Sequence, residues 1–124
     1  MILGVPQRNK EGSSAKPTRY YSTKQEEAVA KALGGKRTAN SGATMFGGKS
    51  DVQADQWSIE CKTKTKASDS ISIQKSWITK NKEESIFDGK PYSAVAFNFG
   101  PDEPNYYIID EDLFIELKTY LESK

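Results

Sequence analysis

Residues 51–62 read DVQADQWSIECK and decide the fold. Two stretches that alternate apolar and polar residues are separated by a short polar turn, a pattern typical of paired β-strands. Because side chains alternate across a strand, Ile59 and Cys61 face the core, whereas Glu60 and Lys62 emerge side by side on the other face. The pattern predicts a hairpin whose second strand carries an acid and an amine on one surface.

The segments around this hairpin predict a mixed α/β domain with a small central sheet flanked by helices. Apolar spacing, capping residues and Gly/Pro breaks give the order α-β-β-α-β-β-α. The predicted helices run from Ser22 or Thr23 to about Leu33, from Ile71 to about Ile86, and onwards from Asp110 or Asp112. The predicted strands cover residues 51–54, 57–63, 92–99 and 106–109. Residues 1–22 show no apolar period and predict a flexible basic arm, which leaves residues 23–124 as a single domain.

The chain has 124 residues, with one cysteine and no histidine. A single cysteine excludes an internal disulfide and a cysteine-cluster zinc site. Without histidine there is no Ser-His-Asp triad and no His-ligated zinc, so any chemistry must use carboxylates, lysines, hydroxyls or a hard metal ion. No apolar run approaches the roughly 20 residues needed to span a bilayer, and we therefore expect a soluble, intracellular protein without a membrane partner.

Charge is distributed unevenly along the chain. Residues 1–90 hold 16 Lys and Arg against 10 Asp and Glu, whereas residues 91–124 hold 2 against 7. A basic front part is typical of a protein that binds a polyanion, because Lys and Arg near phosphates release counterions. In the predicted arm the candidates for DNA contact are Arg8, Lys10, Lys16 and Arg19. A disordered end without a role in binding is the alternative.

The hairpin carries the chemistry. Asp51 opens its first strand and Glu60 lies on its second, so the two carboxylates can come close on one face. Two ionised carboxylates repel each other unless a cation lies between them, and Mg²⁺ or Mn²⁺ fits because these ions prefer oxygen ligands. Lys62 leans over the same spot, where it could orient a water or stabilise charge on a phosphate. The alternative is a surface hairpin on which Glu60 and Lys62 only neutralise each other.

The pattern Asp51…Glu60-Cys61-Lys62 resembles the active-site signature of the PD-(D/E)XK nuclease superfamily, with Ser50 in place of the nominal proline. The resemblance implies a restriction-endonuclease-like core and a metal-dependent DNA endonuclease that hydrolyses phosphodiester bonds.

Upstream residues extend this likeness. Glu26 on the first helix, the Ser41-Gly42 turn and residues 49–52 are similar to the small branch of the superfamily that includes archaeal and bacteriophage Holliday-junction resolvases. The similarity covers roughly residues 22–100 in matching order. It implies a structure-specific resolvase; the alternatives are a nickase, a restriction or repair endonuclease, or a non-catalytic DNA-binding module that retains the fold.

The resemblance also implies roles for individual residues. The implied catalytic residues are Glu26, Asp51, Glu60 and Lys62, with Glu27 as a less favoured alternative to Glu26. The implied ligands of Mg²⁺ or Mn²⁺ are Asp51, Glu60 and the backbone carbonyl of Cys61. The expected DNA contacts beyond the arm are Ser41, Lys49, Lys64, Lys66, Gln74 and Lys75. Of these, Lys64 and Lys66 alternate with Lys62 and would form a basic ridge if the strand continued; a solvated edge is the alternative.

Three further expectations concern the surroundings of the site. Trp57 and Trp77 are expected to pack in the core rather than to stack on bases. Cutting two symmetric strands of a junction suits a two-fold homodimer, with the candidate interface residues Phe87, Tyr92, Phe97, Phe99 and the last helix. The glycine pairs lack the spacing of a phosphate-binding loop, so no nucleotide cofactor is expected. The resemblance implies a cytoplasmic protein of a prokaryote or bacteriophage.

Overall fold

The computed structural model describes residues 16–38 and 50–124. Within them lie three helices and five strands in the order α-β-β-β-α-β-β-α, an α/β arrangement. The helices are α1 (Thr18–Leu33), α2 (Lys75–Phe87) and α3 (Glu111–Glu122). The strands are β1 (Lys36–Arg37), β2 (Val52–Ala54), β3 (Trp57–Lys62), β4 (Tyr92–Phe97) and β5 (Tyr106–Ile108).

The strands form one open mixed sheet in the order β1-β2-β3-β4-β5. The predicted hairpin is confirmed: β2 and β3 pair antiparallel, with Val52 opposite Ile59 and Ala54 opposite Trp57. β3 and β4 are parallel, and α2 makes the crossover between them. β3 is thus the middle strand of five, and its last residues lie beside the last residues of β4.

One face of the sheet packs against α1. Its buried cluster joins α1 to three strands through Val29, Ala30, Val52, Ile59, Cys61, Ala94 and Ala96. Burying such side chains contributes roughly 1.5–3 kcal/mol for each large one. Gly34 ends α1 in the left-handed conformation, with φ 69°, which glycine adopts readily at the end of a helix. The core of the domain therefore lies between α1 and the face of β3 opposite Glu60.

The other face is covered by α2, whose buried residues Asn81, Glu84 and Ser85 are all polar. Asn81 is almost completely buried, and its amide nitrogen donates to the backbone carbonyls of Ser58 and Ala94 at 3.3 and 3.0 Å. The Ser50 hydroxyl donates to the Asn81 carbonyl oxygen at 2.6 Å. A single side chain thus ties α2 to two neighbouring strands and to the residue before Asp51.

Replacing Asn81 with alanine is expected to lower the free energy of unfolding by about 2–4 kcal/mol, because it leaves the Ser50 hydroxyl and two carbonyls without this partner in a buried place. Urea unfolding measures the change. Thr79→Ala, an exposed position on the same helix, is the matched control, with an expected change below about 0.5 kcal/mol. A similar loss in both variants would contradict this role of Asn81.

Two predicted helix starts are wrong, and one short strand was not predicted. α1 begins at Thr18 directly after Pro17, so residues 18–22 of the predicted arm are helical. Ser22 does not cap the helix, because its hydroxyl donates within the helix to the Arg19 carbonyl at 3.1 Å. α2 begins at Lys75 rather than at Ile71, with Gln74 still extended. The two-residue strand β1 was not predicted. It pairs with β2 through backbone hydrogen bonds, and its two residues carry no apolar pattern that would have indicated a strand.

Candidate active site

The β2–β3 hairpin sets the position of the two predicted acids. Continuing the register by one residue brings Asp51 opposite Glu60, on the face that α2 covers. The Asp51 carboxylate accepts a hydrogen bond from the Cys61 backbone N–H at 2.9 Å. Since the N–H and C=O of one strand residue point to the same side, the Cys61 carbonyl is directed towards Asp51 as well. The register therefore places Asp51 across from Glu60, and strand geometry directs the Cys61 carbonyl to the side of β3 on which Asp51 lies.

Lys62 lies beside Glu60 on β3. Its ammonium nitrogen is 3.2 Å from a Glu60 carboxylate oxygen, and it also lies 5.1 Å from the centre of the Trp77 ring. Trp77 is half-buried at the first turn of α2 rather than in the core, which corrects the expectation for this residue. Its ring covers one side of the ammonium group, since an aromatic face attracts a cation.

The Glu60 carboxyl has a strongly altered acidity. Burial, followed by the negative charge of Asp51, raises its pKa to about 7, and the Lys62 ammonium group opposes this rise only in part. Without a further cation, Glu60 is therefore partly protonated at neutral pH. A carboxyl group whose pKa is strongly raised by burial and by a neighbouring acid is typical of a functional site.

Glu26 joins the same electrostatic group from α1. Its side chain is 12% exposed and lies 3.1 Å from the Arg37 guanidinium nitrogen Nε. Burial and the charge of Asp51 raise the pKa of Glu26, whereas Arg37 lowers it. Glu27 is exposed, so Glu26 is the helix carboxylate that approaches Asp51.

One further carboxylate near the site was not predicted. Glu84 lies on the buried face of α2, three residues after Asn81, and its charge contributes to the raised pKa of Glu60. Burial raises the pKa of Glu84 itself, and one of its carboxylate oxygens accepts no hydrogen bond from any described residue. The spacing Trp77, Asn81, Glu84 marks one helical face, but these polar residues do not signal burial in the sequence.

The predicted DNA-contacting residues fall into three groups. Arg8, Lys10, Ser41 and Lys49 lie outside the described residues. The basic ridge is wrong in its geometry: β3 ends at Lys62, so Lys64 and Lys66 lie in the following loop, where the Lys64 ammonium group donates to the Ser70 carbonyl at 2.9 Å.

The third group lies close to the site. Gln74 and Lys75 are exposed at the start of α2, beside the turn that carries Trp77. Arg19 on α1 lies near enough to Glu26 to lower the pKa of that carboxyl. Lys16 lies farther along, with its ammonium nitrogen 4.9 Å from the centre of the Tyr20 ring.

Two carboxylates and one backbone carbonyl are the oxygen donors that this site offers to a hard divalent cation. Among residues 16–38 and 50–124 there is no group of three or more His, Cys, Asp or Glu side chains arranged to hold a metal ion. Mg²⁺, however, is commonly held by one or two carboxylates and keeps several waters. The Asp51 and Glu60 carboxylates with the Cys61 carbonyl match that pattern, and a cation between them would relieve their repulsion.

In metal-free buffer the free energy of unfolding is expected to fall as the pH rises from about 5 to 8. The Glu60 pKa is about 7 in the folded protein against an ordinary value of 4.5, so the folded state retains a proton that the unfolded state has lost. The stabilisation is complete below the unfolded value and disappears as the pH passes the folded one. Glu26 and Glu84 shift in the same direction.

Urea unfolding with EDTA at several pH values measures this dependence, for which we expect a loss of roughly 1–3 kcal/mol. Glu60→Gln, which is neutral throughout, should flatten the profile. A wild-type protein that becomes more stable across this range would contradict the assignment.

Comparisons of the chain with protein-family models, with curated proteins and with solved structures find no significant match in any of the three. Within the described part of the chain, none of the helices combines the length and the apolar character that crossing a membrane requires.

Proposed function

We propose that this chain is a metal-dependent DNA endonuclease with a PD-(D/E)XK-type core, which acts on branched DNA such as a four-way junction. One observation carries the proposal: Asp51 and Glu60 come together on adjacent strands with Lys62 at 3.2 Å from Glu60. An acid pair that is costly without a cation, placed next to an amine, suits phosphodiester hydrolysis. The sequence resemblance supports the same chemistry.

Each residue of the candidate site would have a separate role in the hydrolysis. Asp51 and Glu60, with the Cys61 carbonyl, would hold Mg²⁺ or Mn²⁺, which supplies charge stabilisation at the phosphate and a more acidic water. Lys62 would position the attacking water or stabilise the developing charge on the phosphate. Glu26, neutralised in part by Arg37, would assist from α1.

The start of α2 supports binding of the substrate backbone. Its first turn, with Gln74 and Lys75 exposed, lies next to Lys62 through Trp77. A helix N-terminus favours phosphate because its backbone N–H groups lack partners within the helix. The geometry thus supports a DNA strand that passes the start of α2 with one phosphate at Lys62.

The proposal includes a homodimer, because a junction presents two equivalent strands. Exposed apolar side chains support it: Phe87 is 69% exposed at the end of α2, and α3 exposes Phe114, Tyr120 and Leu121. The ring contacts of Tyr92 with Trp57 and of Phe97 with Phe99 lie within the chain, so these residues are weaker candidates for the interface. Sedimentation equilibrium tests the dimer directly.

Incubation of the protein with a four-way junction and with linear duplex, in Mg²⁺, Mn²⁺ or EDTA, tests the proposed activity. Paired nicks at the junction that require a divalent metal would support the resolvase. Metal-dependent cleavage of linear DNA would instead favour a general or sequence-specific endonuclease. Binding that survives in EDTA, with no cleavage under any condition, would favour a non-catalytic DNA-binding module and refute the enzyme.

A further inference from the structure

A cavity of about 330 Å³ lies at the ends of the two parallel strands β3 and β4. Its walls come from the first half of α1, from Thr63 after β3, from Asn98 after β4 and from the turn before β5. In parallel sheets, ligands bind beyond the carboxyl ends of the strands. The volume lies at the lower end of the range for small-molecule sites, about 300–1,000 Å³, so the cavity suits one small group.

Carboxamides form the inner wall of this cavity. The Gln25 amide nitrogen donates to the Asn105 side-chain oxygen at 3.1 Å, and the Asn98 amide nitrogen donates to the same oxygen at 3.2 Å. The Thr63 hydroxyl donates to the Asn98 side-chain oxygen at 2.5 Å. The three amides are therefore held in fixed orientations rather than free to rotate.

Two hydrogen-bonding groups of this network remain unused. The Gln25 side-chain oxygen is buried and accepts no hydrogen bond from any residue that the structure describes, although Gln25 itself is only 4% exposed. The Asn105 amide nitrogen likewise donates no hydrogen bond to a described residue, while its oxygen already accepts two. Because the Gln25 oxygen is buried, the group that the wall offers to a ligand is the Asn105 amide nitrogen, a donor that an acceptor on the edge of a nucleobase matches.

The outer part of the cavity is aromatic and close to neutral. Tyr20 and Tyr21 line it with their rings at right angles and 5.2 Å apart. Lys16 and Lys24 both lie over the Tyr20 ring, which leaves Tyr21 as the ring offered to a ligand. The two lysines are balanced by Asp102, 3.3 Å from Lys24, and by Glu103. A neutral, flat heterocycle fits this rim better than a free phosphate does.

We propose that the cavity receives one unpaired nucleobase of the DNA substrate, stacked on Tyr21 and hydrogen-bonded to Asn105. The choice of DNA as the source of the base rests on the proposed function. One hydrogen bond links the cavity to the strand of the candidate active site: the Gln25 amide nitrogen donates to the Lys62 backbone carbonyl at 2.8 Å. The residue after Gln25 is Glu26, so the cavity adjoins the end of the strand that carries Glu60 and Lys62 and the helix that carries Glu26.

Binding in EDTA tests the cavity without any cleavage. The probes are a duplex with one extrahelical 2-aminopurine and a fully paired duplex of the same sequence. We expect the wild-type protein to bind the first at least about tenfold more tightly, and the 2-aminopurine fluorescence to fall on binding as the base stacks on Tyr21. Tyr21→Ala should reduce the preference to about twofold or less, and Asn105→Ala should reduce it in part.

Two controls retain the preference. Tyr21→Phe keeps the ring, and Tyr107→Ala removes an exposed tyrosine of β5 that does not line the cavity. Thermal unfolding identifies a variant that fails to fold. If Tyr21→Ala does not fold, the preference of Asn105→Ala for the unpaired base tests the proposal instead. Equal affinity of the wild-type protein for both duplexes, or an unchanged preference in both cavity variants, would overturn the proposal.

A parallel cleavage assay in Mg²⁺ separates the two proposals. Metal-dependent cleavage without preference for the unpaired base would refute the cavity and leave the endonuclease standing. A preference that depends on Tyr21, without cleavage in any metal, would support the cavity and refute the endonuclease.

Discussion

Replacing Asp51 with asparagine is expected to abolish metal-dependent cleavage, with a loss of at least about 1,000-fold, and to leave the metal-free protein at least as stable as the wild type. The activity falls because one of two carboxylates for the cation is removed. Two described interactions of Asp51 support unchanged or higher stability, because the asparagine oxygen can still accept the hydrogen bond from the Cys61 N–H and the repulsion with Glu60 and Glu26 disappears. Single-turnover cleavage and urea unfolding in EDTA measure the two effects.

This opposite response of activity and stability is typical of a functional site and not of a structural acid. Asp69→Asn, at an exposed loop position, is the control, for which neither quantity should change appreciably. A loss of more than about 1 kcal/mol on Asp51→Asn would indicate that the carboxylate stabilises the fold.

Replacing Lys62 with alanine is expected to lower the cleavage rate at least about 100-fold, with DNA affinity in EDTA within about threefold of wild type. The ammonium group is already held between Glu60 and the Trp77 ring, so its removal takes away a positioned cation next to the scissile phosphate. A general electrostatic contact with DNA would instead weaken binding and leave the bound complex reactive.

Lys118→Ala is the matched control, since Lys118 pairs only with Glu122 on exposed α3 among the described residues. It should alter neither rate nor affinity. Unchanged cutting by Lys62→Ala would remove this residue from the chemistry, and weaker binding with unchanged cutting in the saturated complex would assign it to DNA contact alone.

The hairpin that carries Asp51 and Glu60 could be predicted from the sequence because its alternation is strict and its turn is short. In an antiparallel pair, the register then follows from the turn, and with it the face on which each side chain lies. The same local rules found the cap of α3, where the Asp110 carboxylate accepts from the Leu113 N–H at 2.9 Å. The hairpin and the helix cap could be predicted because both depend on residues that are close together in the sequence.

The surroundings of the pair could not be predicted in the same way. Arg37, which binds Glu26, lies on a strand of two exposed residues whose place is fixed by backbone pairing alone. Glu84 and Asn81 form a buried face of polar residues, and a helix of that composition predicts exposure. Their burial follows from the backbone carbonyls and the acids that they meet on β3, which no pattern within α2 encodes.

The start of α1 illustrates a further limit. Thr23 and Glu26 match the spacing of a capping box, yet the helix already begins after Pro17. No residue between Thr18 and Ser22 disfavours a helix, so α1 can begin one turn earlier than predicted. This first turn carries Tyr20 and Tyr21, which line the cavity at the ends of β3 and β4.

The middle position of β3 in the sheet affects how the protein moves. Backbone amides of a strand paired on both edges exchange with solvent mainly when the whole domain opens, whereas exposed ends of helices exchange by local fraying. Residues 57–59 of β3 pair with strands on both edges, and Glu60 and Lys62 continue the pairing with β4. We therefore expect slower amide exchange at Glu60 and Lys62 than in α3, which has one buried residue. The relative geometry of acid and amine should persist through the breathing motions that let a partner or a substrate approach.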